Sequence, residues 1–257
     1  MARTWFTPVV LLTVAALALA ACSSSKKSDG ASTAGSTPTA STGSSGNNAS
    51  LEPNNLVAQV FAAVGAAKSF HVVGSGKDQN MPYSLDVHFG NGGGSGYFSQ
   101  GSARFDLAGH GQDTYVKTTA ANWKATIGTK QNAYELALTL APHWVRVPTT
   151  KQDFAQLLDY VDKDHFVTSY RESAASQSGP FAKGGTATVD GTPALIYTDT
   201  KDNSKIYIAA TGAPLLLKVE SSASDGGGGL TITDYNKPFS PTLPLANEII
   251  DYTSVVK

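Results

Sequence analysis

The chain of 257 residues contains one cysteine and two methionines. A lone cysteine excludes an internal disulfide and any thiol cluster of the zinc-ribbon or iron–sulfur kind. Charge is also scarce. Asp, Glu, Lys and Arg make up 15% of the residues, against about 25% in ordinary globular proteins. The formal net charge is -1, which offers nothing to hold nucleic acid or to adhere to anionic head groups by charge alone. The polar surface must therefore be built largely from Ser, Thr, Asn and Gln.

Catalytic signatures are missing too. A nucleophile elbow needs Gly-x-Ser-x-Gly, but Gly93-Gly94-Ser95-Gly96 is followed by Tyr97. Gly76-Lys77 lacks both the upstream glycine and the hydroxyl residue of a phosphate loop. The five histidines, His71, His88, His110, His143 and His165, form no i, i+4 pair and have no cysteine partner at zinc-ligand spacing. His88 falls on the polar face of its strand and is expected in solvent; His71 is expected to form a structural hydrogen bond. Asp162 and Asp164 are read as helix caps or solvated groups. No enzyme activity, cofactor or metal is expected from these residues.

The N-terminus carries a positive pattern. Met1 to Thr7 holds Arg3, and Pro8 to Ala21 is apolar apart from Thr13. That stretch is short of the roughly 20 apolar residues of a membrane span and has the layout of a signal peptide. It ends in Leu19-Ala20-Ala21 before Cys22, which resembles the lipobox of bacterial lipoproteins. Residues 1-21 are therefore predicted to be removed and Cys22 to be acylated, placing the protein at the outer face of the cell membrane. Ser23 to Ser50 has no aromatic and no large aliphatic residue, so it cannot bury enough apolar surface to fold. Residues 22-54 are read as the lipidated cysteine and its tether, and 55-253 as one domain.

Within that domain, Leu56, Val57, Val60, Phe61 and Val64 recur at helical spacing, after an asparagine that could cap them. From Ser69 the period becomes two: Tyr83, Leu85, Val87 and Phe89 alternate with Ser84, Asp86 and His88. Strands are predicted at 69–77, 83–89, 95–100, 103–108 and 112–118. Between Ala121 and Ser176 the spacing is mostly helical, as at Phe154, Leu157, Leu158 and Val161 and at Tyr134, Leu138 and Ala141, with a short strand at His143 to Val147. Strands then resume, and Val189-Asp190-Gly191-Thr192 is a two-residue hairpin signal. About ten antiparallel strands with a helical block predict an α+β fold: a strongly curved half-barrel sheet with helices covering its concave face. The space between sheet and helices could form an apolar cavity. Leu85, Val87, Phe89, Phe98, Phe105, Leu138, Phe154, Leu157 and Leu158 are its predicted wall, from alternation and helical phase.

Several local patterns then stand in a telling order: Ser69-Phe70-His71-Val72-Val73-Gly74, Tyr115-Val116-Lys117 with Trp123, Trp144-Val145-Arg146-Val147-Pro148, Gly191-Thr192-Pro193-Ala194, Tyr207-Ile208-Ala209 with Gly212-Ala213-Pro214-Leu215, and Asp234-Tyr235-Asn236-Lys237-Pro238. With the lipobox they resemble the LppX/LprG family of actinobacterial envelope lipoproteins, related in fold to the LolA and LolB carriers. The resemblance spans most of residues 55 to 251. It implies a half-barrel whose cavity holds the acyl chains of a lipid or lipoglycan, carried within the envelope, in some members beside a membrane transporter; the protein itself is expected to be a monomer. It implies no enzyme. The alternative is a tethered interaction module for a transporter or cell-wall component, without bound lipid; a hydrolase ranks last.

Overall fold

The computed structural model describes residues 47–78, 80–222 and 227–257. The predicted signal segment, Cys22 and most of the predicted tether lie outside the described residues. The described residues start at Asn47, ahead of the expected boundary at 55. Asn47 bridges to Thr211, and the buried Asn48 donates from Nδ2 to the Ala209 carbonyl at 2.8 Å. Tyr197 donates its hydroxyl to the Leu51 carbonyl. A polar segment with no core of its own thus joins the domain by hydrogen bonds to a strand end.

Helix α1 (Leu56–Ala66) buries Leu56, Val60, Phe61 and Val64, the stripe its spacing predicts. Asn55 makes no capping hydrogen bond; a 3-10 turn over Pro53–Asn55 leads the chain in instead. Five strands follow: β1 (Ser69–Asp78), β2 (Met81–Gly90), β3 (Gly93–Gln100), β4 (Ala103–His110) and β5 (Asp113–Lys117). The helical block comprises α2 (Ala120–Ile127), α3 (Ala133–Leu140), α4 (Gln152–Ala155), α5 (Leu158–Val161) and α6 (Lys163–Gln177), with β6 (Trp144–Val147) between α3 and α4. Asp162 caps α6, accepting from the backbone N–H groups of Asp164 and His165 at 2.9 Å each. The strands β7 (Phe181–Val189), β8 (Thr192–Asp199), β9 (Lys205–Ala209), β10 (Leu216–Glu220) and β11 (Gly228–Thr233) complete the meander. At the β7–β8 turn Asp190 and Gly191 both have positive φ, 45° and 79°, as the two-residue hairpin requires.

With β12 (Ile249–Asp251), the strands of the described residues form one sheet in the order β12-β6-β5-β4-β3-β2-β1-β11-β10-β9-β8-β7. The sheet is a curved, unclosed half-barrel whose edges are β12 and β7. Two features correct the expected all-antiparallel meander of ten strands. There are twelve strands among the described residues, and β12 (Ile249–Asp251) pairs with β6 in parallel. A short helix α7 (Tyr252–Val255) then buries Tyr252, and Val256 behind it is buried too, so the domain runs past 253.

Alternation fixes the two faces. Phe70, Val72, Leu85, Val87 and Phe89 are buried against the helices, which places His71, Asp86 and His88 on the outer face. Over β2 to β4 the inner face is filled by α5. A Cβ on Gly109 of β4 would lie 2.6 Å from the Cβ of Val161, so the missing side chain is what lets α5 sit directly on the strands.

Candidate functional site

The described residues enclose a cavity of about 340 Å³ on the other half of the concave face. Its walls are α1 (Val57, Val60, Phe61, Val64), α6 (Phe166, Tyr170, Ala174) and the strands β9 to β11 (Ile206, Leu216, Val219, Leu230, Ile232). The helical spacing of α1 is what aims its apolar stripe inward, and the short β-branched and leucine side chains of β9 to β11 leave room above the sheet. An aromatic cluster supports the wall. The Phe166 ring packs on Phe70, Phe89 and Tyr170 at centroid distances of 5.6, 4.9 and 4.3 Å. Burial pushes the Tyr170 hydroxyl well above the ordinary phenol range, so it stays protonated.

Gln156, Asp159, Ser169, Glu172 and Ser173 supply a polar part of the lining, and Glu172 is exposed, so the cavity meets the surface beside α6. Oε1 of Gln156 is buried with no hydrogen-bond partner among the described residues. A buried carbonyl of that kind is stabilised by any donor brought in by a ligand. Burial pushes the Asp159 carboxyl above the usual carboxylate range, while a 2.6 Å hydrogen bond from Ser169 and the charge of His165 pull the other way.

Ser169, Asp159 and His165 lie together, but not as a nucleophile with its base. Ser169 donates straight to Asp159, and the His165 ring nitrogen stands 3.8 Å from the same carboxylate oxygen. In a catalytic triad the imidazole lies between the other two and takes the serine proton. Here the carboxylate occupies that middle place.

The raised Asp159 gives a pH-dependent expectation. Its folded-state pKa exceeds the unfolded value near 3.9, so ionisation at neutral pH penalises the folded state. Asp159→Asn removes that penalty. The variant should melt higher than the parent at pH 7, with the gap closing below about pH 4, as followed by circular dichroism. A melting point lowered equally at both pH values would contradict this electrostatic account.

None of the nine predicted wall residues lines this cavity. Leu85 and Phe98 border only a void of about 10 Å³ beside it. Val87, Phe89, Phe154 and Leu157 are buried core, and Phe105 and Leu158 pack partly buried against it. They belong to the half of the sheet, and to the helices, that α5 and its neighbours fill. Leu138 is 48% exposed, because α3 turns Ala133, Ala137 and Leu140 inward and leaves Tyr134 and Leu138 on the outside. The α1 stripe and β9 to β11 were visible in the sequence as apolar positions, but periodicity does not separate a wall from a core.

His71 and His88 differ in outcome. His71 donates a 2.8 Å hydrogen bond from Nε2 to the Asp86 carboxylate, the structural hydrogen bond expected. His88 is not freely solvated: it stacks between the rings of His71 and Phe239.

No helix among the described residues is long and apolar enough to cross a membrane. No family model matches the chain, and no curated protein does. Solved structures do. LprF from Mycobacterium bovis aligns over 75% of this chain and 96% of its own, at 14% identity and a TM-score of 0.50. The lipoprotein LppX from Mycobacterium tuberculosis aligns over 74% of this chain and 100% of its own, at 16% identity and a TM-score of 0.41. The likeness to LprF shows that this chain has the fold which its resemblance to LppX/LprG-type envelope lipoproteins implies.

Proposed function

We propose that the protein is a lipoprotein, anchored by acylated Cys22 at the outer face of the cell membrane, which binds the acyl chains of a lipid or lipoglycan and carries it within the envelope. The observation that carries this reading is the cavity itself: apolar over α1, α6 and β9 to β11, polar beside Gln156 and Asp159, and 340 Å³ in volume. Ligand pockets commonly measure about 300 to 1,000 Å³. Burying each methylene contributes about 0.8 kcal/mol, so affinity should grow with the length of chain that the cavity takes in.

The polar lining suits the ligand's head. Gln156 offers a buried acceptor, and the Ser169 oxygen, whose proton goes to Asp159, keeps lone pairs that can accept from a ligand's donor. The anchor would keep the cavity within reach of the membrane that supplies or accepts the lipid, and a membrane transporter is the partner such a carrier would serve. The fold shared with LprF supports the reading. Exposed Tyr134 and Leu138 on α3 do not favour the interaction-module alternative, since two adjacent side chains make a patch smaller than those that mark interaction sites.

The test is covalent capture. A fatty acid bearing a photoreactive diazirine near its terminal methyl, irradiated with the full chain, should label it at about one per molecule, and unlabelled fatty acid should compete. Labelling no greater than that of a protein without a cavity would overturn the proposal.

A further inference from the structure

The outer face of the sheet carries a cluster that the cavity does not use. The β1–β2 register sets His71 directly opposite His88, and their rings stack with centroids 3.6 Å apart and planes within 8°. The β1–β11 register sets Thr233 opposite His71, so the next residue, Asp234, arrives beside the pair. Nitrogens of both rings and a carboxylate oxygen of Asp234 lie within 4.8 Å of one another.

The loop behind Asp234 is fastened in place. Asp234 and Asn236 both have left-handed backbone, φ 56° and 60°, a conformation that costs a non-glycine residue energy and is held only by surrounding contacts. Those contacts are present. Asn236 donates its N–H to the Ser69 carbonyl and accepts the Lys68 N–H at 2.8 Å. Ser69 bonds the Lys237 carbonyl, and Phe239 covers His88. Gly90 makes the last contact possible, since a Cβ there would lie 2.9 Å from the Phe239 ring.

We propose that His71, His88 and Asp234 form a binding site for one divalent transition-metal ion of the zinc or nickel class. Two imidazoles and one carboxylate are a donor set suited to such ions, with a further position open to water. Asp86 completes it. Its 2.8 Å bond to Nε2 of His71 fixes the tautomer so that Nδ1 keeps the free lone pair, the arrangement by which carboxylates orient metal-binding histidines. Lys237 takes only Oδ1 of Asp234, at 2.6 Å, leaving Oδ2. Metal–ligand bonds of about 2.0 to 2.2 Å require the three donors to draw together, so the ring stack must open on binding. The ion would tie the β1–β2 hairpin to the loop after β11, across the seam where the two halves of the sheet meet.

The test uses the full chain in detergent with Cys22→Ser, which removes the only thiol. Calorimetric titration with zinc chloride at pH 7.5 should show one equivalent bound. His71→Gln, His88→Gln and Asp234→Asn should each weaken binding at least tenfold, and Asp86→Asn by about tenfold. Nuclear magnetic resonance of the unsubstituted histidines gives a readout independent of any variant's folding: zinc should shift His71 and His88 and leave His110, His143 and His165 in place. No zinc or nickel binding, binding that persists in the double His71→Gln/His88→Gln variant, or shifts confined to the other three histidines would overturn the proposal.

Discussion

Ala174→Trp should lower the uptake of a fluorescent fatty acid at least tenfold while the protein stays folded. Ala174 is a partly buried lining residue of α6, and an indole added there occupies the space assigned to the acyl chain. Overpacking of a tight core costs about 1 to 3 kcal/mol, but this side chain enters an existing void and displaces no packed neighbour. The loss of stability should therefore be about 1 kcal/mol or less, read from a urea transition. Leu138→Trp is the matched control: the same bulky substituent, at a position that is exposed on α3, should leave uptake unchanged. Undiminished uptake in Ala174→Trp would place the ligand elsewhere.

The second large effect concerns the sheet. Gly96 lies in the middle of β3, paired with Val87 of β2 on one side and Leu107 of β4 on the other. Its φ is +159°, and a Cβ built there would fall inside the contact shell of the Asp86 carbonyl oxygen and of the Val87 Cα. Those are backbone atoms held by the ladder on both sides, so no rotamer change relieves the clash. Gly96→Val should cost about 4 kcal/mol or more, at the far end of what single substitutions do. Urea denaturation of parent and variant would measure it, and a midpoint close to the parent's would show that the strands can part without loss of pairing.

Much of this architecture can be read from residues. Strict alternation over Tyr83, Leu85, Val87 and Phe89 locates β2 and its buried face, and Asp190-Gly191 locates a hairpin, because each signal is local. The helix α3 shows where local reasoning divides. Two stripes compete in it, Tyr134 with Leu138 and Ala133 with Ala137 and Leu140. Side-chain size favours the first, yet the second is buried, since small alanines let α3 lie close to its neighbours. β12 escapes notice because three residues carry no period. Its pairing is stabilised instead by an Arg146–Asp251 bridge of two hydrogen bonds, at 3.0 and 2.6 Å, between residues 105 positions apart.

The cavity and the outer cluster are hidden for one reason: both are set by register and by where helices land. Leu85 and Leu230 look alike as inward residues of strands. Only the seating of α5 over β2 to β4, through Gly109 and Val161, decides that Leu85 is core and that Leu230 borders the void. In the same way His71 and His88, 17 residues apart in sequence by their numbers, meet only because the β1–β2 hairpin closes in the register observed.

The location of a captured acyl chain tests the central claim most directly. After irradiation of the full chain with the diazirine fatty acid, peptide mass spectrometry would assign the labelled residues. The account predicts label on α1, α6 and β9 to β11, at residues such as Val60, Phe166, Ala174, Ile206 and Leu230. Label confined to Leu85, Val87, Phe98 and the other residues beneath α5, or spread over the exposed surface, would contradict it.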